Sequence, residues 1–222
     1  MAGRSDSSDH GEDGVLNINE DTEMASIERA PTETDIALAN GNPPSLRRYD
    51  PTAAEPEFLF EVVNDFIVRK TAGSSEIDIA TTLYNVLAPI VRATGFGRTY
   101  MELGYDFSDG GPRRKPDVSV LSAQRWPRSK PFPLGDFVPV APELAVEVIS
   151  PGELAYVVFS KIEQYFRARV LAVWVIVPHI ERVYCFDSAT AIRVLSRTDD
   201  LTGEPLIPGF RLPLAELFPP TS

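Results

Sequence analysis

Two apolar runs, Glu143 to Ser150 (ELAVEVIS) and Val170 to Val177 (VLAVWVIV), constrain this chain of 222 residues more than any other feature. The first reads as a central strand buried on both faces, and the second is the most hydrophobic strand of the chain. Between them, Glu153 to Arg169 sets Val157, Ile162, Tyr165 and Phe166 on one face of a helix. The second run is the longest unbroken apolar stretch, eight residues closed by Pro178. A membrane-spanning helix needs about 20, so neither run is a span.

The remaining elements follow from periodicity and punctuation. Phe58 to Val68 is apolar and β-leaning, with Asn64-Asp65 placed for a hairpin turn. Ser74 and Ser75 offer N-caps to a helix in which Ile79, Leu83, Val86, Leu87, Ile90 and Val91 recur up to Gly95, with a bend expected at Pro89. A strand is expected around Arg98 to Phe107, a turn at Gly110-Gly111, and a short strand in Lys115 to Leu121. A linker of 21 residues, Ser122 to Pro142, then carries five prolines, three basic residues and Trp126, and loops of that length usually serve function. Glu181 to Phe186 and Ala191 to Leu195 complete a meander, and PLIPGFRLPLAELF packs the C-terminus. Helix, three strands, helix and strand in succession predict an α/β or α+β domain with a mixed sheet.

Charge divides the chain. The net charge is −11. Residues 1–50 hold eleven acids against four arginines, and residues 51–222 hold 21 acids against 17 basic residues. No Phe, Trp or Tyr precedes Tyr49, and such a segment cannot bury enough apolar surface to offset its ordering entropy. Residues 1–50 are therefore expected to form a disordered acidic tail, and residues 51–222 the folded domain. The acidic total argues against strong nonspecific nucleic-acid binding, although most of the excess sits in the tail. No apolar stretch near Met1 suits a signal peptide, and the lone Cys185 fits a reducing compartment, so a soluble cytoplasmic protein is expected. One cysteine and two histidines, His10 and His179, leave no zinc cage of the usual kind.

Two carboxylates interrupt apolar strands. Glu147 sits inside ELAVEVIS, where an unpaired ionised acid would be costly, and Asp117 heads another strand after Pro116. Adjacent strands would bring the two together, and a divalent cation would relieve their repulsion. Oxygen ligands select Mg²⁺, Mn²⁺ or Ca²⁺ over zinc. A buried arginine facing Glu147, or a place at a sheet edge, would account for it equally well. Lys161, on the following helix, could orient or deprotonate a water above such a pair, or could be a surface lysine with a buried stem. Glu76 stands in the first turn of the long helix, where the dipole favours an acid in any case. Arg113, Arg114 and Lys115 lead into Asp117, while Arg125, Arg128 and Lys130 lie in the proline-rich loop. Each could contact phosphate or simply be solvated. Cys185 reads as core, and His179 has no partner that suggests catalysis.

The stretches RKPDVSVLSAQRWP, PELAVEVISPGELAYVVFSKIEQYFRARVLAVWVI and LIPGFRLPLAELF, with the helix opening GSSEIDIA, cover most of the region from about Phe58 to Phe218. In that order they resemble the family described as putative restriction endonucleases, once a domain of unknown function, within the PD-(D/E)XK nuclease superfamily. The resemblance implies a restriction-endonuclease-like αβββαβ core, here with an extra C-terminal β-meander. It also implies a metal-dependent endonuclease acting on DNA with Mg²⁺ or Mn²⁺. Asp117 matches the motif aspartate and Glu147 the motif acid. The superfamily lysine normally stands two residues after that acid, where this chain has Ile149; Lys161 matches the position on the following helix to which this family moves it. Glu76 matches an acidic or histidine position on the first helix, so the expected metal ligands are Asp117, Glu147 and Glu76. Arg114, Lys115, Arg125, Arg128 and Lys130 are the expected substrate contacts. After Ser150-Pro151 the family often has a small polar run with Asn or Asp, where this chain reads Gly152-Glu153-Leu154. That departure, and the acidic net charge, keep a second reading in view: a catalytically weak or inactive nuclease-fold module that binds DNA or a protein partner. A homodimer would give one site for each strand of a duplex.

Overall fold

The computed structural model describes residues 47–50, 53, 60–63, 66–69, 73–107, 112–135 and 137–218. All but the last four residues of the acidic 1–50 segment lie outside these, as do the expected turns at Asn64-Asp65 and Gly110-Gly111. The chain pairs β1 (Phe60–Val63) with β2 (Phe66–Arg69) in antiparallel register. Helix α1 (Ser74–Ala93) follows, then β3 (Gly97–Met101), β4 (Gly104–Asp106), β5 (Arg113–Arg114) and β6 (Val118–Ser122). Beyond the proline-rich segment come β7 (Phe137–Val138), β8 (Leu144–Val148), α2 (Ala155–Arg167) and β9 (Ala172–Val177). The chain ends with β10 (Arg182–Phe186), β11 (Ile192–Ser196), β12 (Asp200–Thr202), β13 (Arg211–Pro213) and the short α3 (Leu214–Leu217).

Six strands form the main sheet in the order β11-β10-β9-β8-β6-β3. Only β8 and β9 run parallel, joined across by α2, and every other neighbour is antiparallel. Within it, α1-β3-β6-β8-α2-β9 is the αβββαβ core, and β10 and β11 are the added meander. Helices cover both faces of this sheet. Ile79, Leu83, Leu87 and Val91 of α1 pack on Val118, Val120, Leu144, Val146, Val148, Trp174 and Ile176. Ile162 and Tyr165 of α2 pack on Ala145, Ile149, Val173, Val175 and Phe186 of the opposite face.

Two details differ from the sequence expectation, in the strand after α1 and at its N-cap. The strand expected over Arg98 to Phe107 is two strands in two sheets: β3 belongs to the main sheet and β4 to a second sheet of order β2-β1-β5-β4-β7. Glu102, in left-handed backbone (φ 52°), makes the break between them. The N-cap of α1 is Gly73, with no side-chain cap, and Ser74 and Ser75 fall inside the helix. Pro89 is accommodated within α1, which continues to Ala93. No helix among the described residues is long and apolar enough to cross a membrane.

Candidate active site

β6 and β8 run antiparallel, with Val118 opposite Val146 and Ser119 opposite Ala145. Continuing that register by one step sets Asp117 opposite Glu147, and directly opposed residues of an antiparallel pair share a face. Asp117 Oδ2 accepts a hydrogen bond from the Val148 amide at 2.5 Å, which fixes its carboxylate beside β8. Since Val118, Val146 and Val148 face α1, alternation turns Asp117 and Glu147 towards α2.

α2 answers with a polar ladder on its inner face. Val157, Lys161 and Tyr165 are buried and spaced four residues apart, so they form one row along the helix. Lys161 Nζ lies 3.1 Å from Glu147 Oε2, 3.3 Å from Glu153 Oε1 and 3.9 Å from Glu61 Oε2. The Tyr165 hydroxyl donates to Glu147 Oε1. Glu61, on β1, takes Arg114 Nη1 at 2.8 Å on one oxygen and the Lys115 amide at 3.1 Å on the other. Arg114 also donates through Nε and Nη2 to Gln164 Oε1 of α2, locking β5 to the helix. Lys161 is therefore no solvated surface lysine: 8% of it is exposed, and its ammonium is shared among three acids. Burial alone would lower its pKa, but Glu147, Glu61 and Glu153 outweigh burial and hold it well above the ordinary lysine range. Burial and the same two buried acids, Glu147 and Glu61, push the Tyr165 hydroxyl up as well.

Several of these partners carried no expectation. Glu61 bears the same signal that singled out Glu147, an acid inside an apolar run (FLFEVV), but its strand is only four residues long. Glu153 is delivered by the Ser150-Pro151-Gly152 turn, where Gly152 adopts φ 91° and the Glu153 amide donates to Ser150 O at 3.2 Å. The departure after Pro151 thus places a third carboxylate on Lys161. Tyr165 could have been singled out as a phenol on an apolar helix face, since a buried tyrosine hydroxyl needs a partner.

The other expected residues take different places. Glu76 is buried in the first turn of α1, its carboxylate folded so closely over Gly73 that a Cβ there would collide with it. Its helix covers the opposite face of the sheet, and among the described residues Glu76 forms no hydrogen bond or ion pair with the Glu147–Lys161 cluster. Arg114 is buried inside that cluster, and the Lys115 ammonium lies over the rings of Phe60 and Phe137 at 4.9 and 5.1 Å. Arg125 is spent on the fold: it pairs with Glu143 at 3.0 Å and donates to the carbonyls of Ala141, Pro142 and Arg169. Arg128 and Lys130 are exposed, Lys130 Nζ standing 3.7 Å from the centre of the Trp126 ring. Cys185 is buried, and burial pushes its thiol up to about 12, far from a nucleophile's range. Among the described residues no group of three His, Cys, Asp or Glu side chains could hold a metal ion.

Comparison with known proteins agrees with this architecture. A crystal structure of a putative nuclease belonging to DUF820 from Anabaena variabilis matches with a TM-score of 0.66 and 21% identity, over 75% of this chain and 93% of that one. At that identity the likeness shows the fold. No curated protein is significantly similar to the chain. The model of the family Uma2, described as putative restriction endonuclease, matches residues 46–215. That span takes in the αβββαβ core, the meander and every residue of the Glu147–Lys161 cluster, and the chain belongs to the Uma2 family.

Proposed function

We propose that the chain is an endonuclease that hydrolyses DNA phosphodiester bonds with Mg²⁺ or Mn²⁺. The observation that carries this reading is the register that sets Asp117 beside Glu147 on neighbouring strands, facing an ammonium 3.1 Å from Glu147. Mg²⁺ is commonly held by one or two carboxylates, with water and substrate phosphate completing its shell. Two adjacent carboxylates suit that limited role, whereas a closed protein cage would need more ligands. Asp117 and Glu147 would hold the ion, which when bound would supply an activated water and neutralise charge on the phosphate.

The chain's own residues then have distinct tasks. Tyr165 and Lys161 each hold one oxygen of Glu147, fixing the plane of its carboxylate. Arg114, itself held by Gln164, fixes Glu61, which adds to the negative field that keeps Lys161 charged. The three acids favour the ammonium form of Lys161, which donates hydrogen bonds, so Lys161 orients the attacking water or the phosphate. Arg128 and Lys130, exposed on the proline-rich loop, would meet the DNA backbone.

Supercoiled plasmid with Mn²⁺ or Mg²⁺ is the direct test. The parent should nick or linearise it, and Asp117→Ala and Lys161→Ala should each lose roughly a hundredfold or more in rate. Equal cleavage by parent and variants would refute the assignment of this site. One observation favours a second reading, a binding module without chemistry: the cluster already pairs its acids with Arg114, Lys161 and Tyr165. Absence of cleavage by the parent as well would favour it.

A further inference from the structure

Under the proline-rich loop, Phe132 sits among aromatic and cationic groups in an unusual way. Its ring stacks on Trp126 (centroids 5.8 Å apart, 12° between planes) and meets Tyr100 edge-on at 5.6 Å. The Arg98 guanidinium lies 5.3 Å from its centre. All three neighbours carry a polar atom that is buried and has no hydrogen-bond partner among the described residues: Trp126 Nε1, Tyr100 Oη and Arg98 Nη2. Buried donors are ordinarily satisfied, and each exception asks for a reason. A phenyl ring supplies stacking, an edge and a face for a cation, but no acceptor.

A nucleobase supplies the same flat face together with ring nitrogens and exocyclic oxygens that accept hydrogen bonds. We propose that the space Phe132 fills is a slot for one unstacked nucleobase of the DNA, with Phe132 as its stand-in when DNA is absent. This rests on the nucleic-acid reading of the neighbouring site.

The surroundings are arranged for such an exchange. Trp126 is 3% exposed and anchored: its amide donates to Ser122 O at 3.0 Å, and Ser122 is tied to Glu143, which Arg125 pairs. Phe132, by contrast, is 38% exposed on a stretch, Pro127 to Gly135, whose residues are all exposed. The wall can stay while the ring leaves. Arg128 and Lys130 on the same stretch provide cations for flanking phosphates.

The slot also lies on the right face. Tyr100 opposes Ser119 and Arg98 opposes Leu121 across β3 and β6. Residues 117, 119 and 121 alternate onto one face, the face of Asp117 and Glu147. Four residues of strand separate Asp117 from Leu121, about 14 Å at the usual rise. A DNA strand carries one phosphate per about 3.4 Å of helix axis, so the slot would take a base a few nucleotides from the bond at Asp117.

The test uses the full chain carrying Asp117→Ala, with metal chelated, so that no cleavage intervenes. Its probes are a twelve-residue oligothymidylate, the same backbone with every base removed, and a twelve-residue oligouridylate. Oligothymidylate should quench the fluorescence of Trp126, and Trp126→Phe should abolish the quenching. Trp174, stacked on Phe210 beneath α1, gives a constant background. Phe132→Ala removes the competitor and should tighten oligothymidylate binding by roughly fivefold or more, given the usual worth of base–aromatic stacking. The abasic strand should neither quench nor distinguish Phe132→Ala from its parent. Phe132 is partly exposed, and an unchanged circular dichroism spectrum will show that the variant is folded. Unchanged or weaker binding by Phe132→Ala, equal quenching by the abasic strand, or no binding would overturn the slot. Quenching by oligouridylate alone would overturn its assignment to DNA. Plasmid cleavage is read separately, so a failed slot leaves the nuclease reading standing, and a chain that cannot cleave can still pass this test.

Discussion

On the α1 side of the six-stranded sheet, β6, β8 and β9 present Val118, Val120, Leu144, Val146, Val148, Trp174 and Ile176, an unbroken apolar floor. On the α2 side, β6, its leading residue and β8 present Asp117, Ser119, Ala145 and Glu147. Ser119 exchanges a hydrogen bond with Tyr105, Asp117 takes the Val148 amide, and Glu147 takes Tyr165 and Lys161. Since adjacent residues of one strand differ so much, the cost of the charged face is local, and the apolar face supplies the stability that tolerates it. The comparison teaches that the two faces should respond differently to mutation: one through packing alone, the other through charge and hydrogen bonds as well as packing.

The largest response is expected from Lys161→Met. It keeps most of the side-chain volume and removes the ammonium that Glu147, Glu61 and Glu153 share. Breaking a buried ion pair from one side typically costs about 3–5 kcal/mol. The loss should be greatest near pH 8 and shrink towards pH 5. Acids left buried beside one another have raised folded-state pKa values, so as pH falls they take up protons in the folded chain first, which favours that state. Urea denaturation at the two pH values checks this. A pH-independent loss would mean that volume, not charge, is what Lys161 provides.

Leu87→Ala is the counterpart on the dry face. Leu87 is wholly buried in the α1 core, and such truncations cost about 2–5 kcal/mol depending on how far the cavity collapses. For a domain of this size, each kcal/mol lowers the melting temperature by about 2–4 °C. The loss should be the same at pH 5 and pH 8, and plasmid cleavage per folded molecule should match the parent. Lost cleavage in a folded Leu87→Ala protein would show that the faces are not separable.

Tyr165→Phe should cost less. It preserves the ring that packs edge-on against Phe107 and deletes only the hydroxyl given to Glu147. Hydrogen bonds to charged groups contribute about 1.5–3 kcal/mol. Measured with metal chelated, a loss in that range would identify Tyr165 as a support of Glu147; no loss would leave it a packing residue.

The same division explains what could be read from the sequence. The α1 face was legible because long elements repeat: six apolar residues of α1 and the runs in β8 and β9 announce themselves by period and length. Asp117 and Glu147 stood out on the other face because an acid amid apolar residues has a physical cost. What escaped was whatever depends on short elements and three-dimensional closure. The second sheet is built of strands of two to four residues, too short to show a period. Glu102 breaks a seemingly continuous strand through a backbone conformation that its side chain does not advertise. Glu61 reaches Lys161 only because β5 carries Arg114 between β1 and α2, a route that no local pattern encodes.

The smallest effect expected is an absence of change, and it bears on what Lys161 does. Its folded-state pKa lies above the unfolded value of about 10.4, so whatever stability it contributes is fully present below that pH and is lost only as pH rises through the folded value. The stability gap between parent and Lys161→Met should therefore stay constant from pH 8 to pH 10. A lysine tuned to act as a base would behave otherwise: its folded pKa would lie below the unfolded one, near neutrality, and the parent would lose its advantage in a different range. If the gap moves between pH 8 and pH 10, the ammonium is titrating there. The three carboxylates would then not hold it charged, and proton transfer would return as a role for Lys161. A constant gap leaves orientation and charge, the roles to which Glu147, Glu61 and Glu153 commit it.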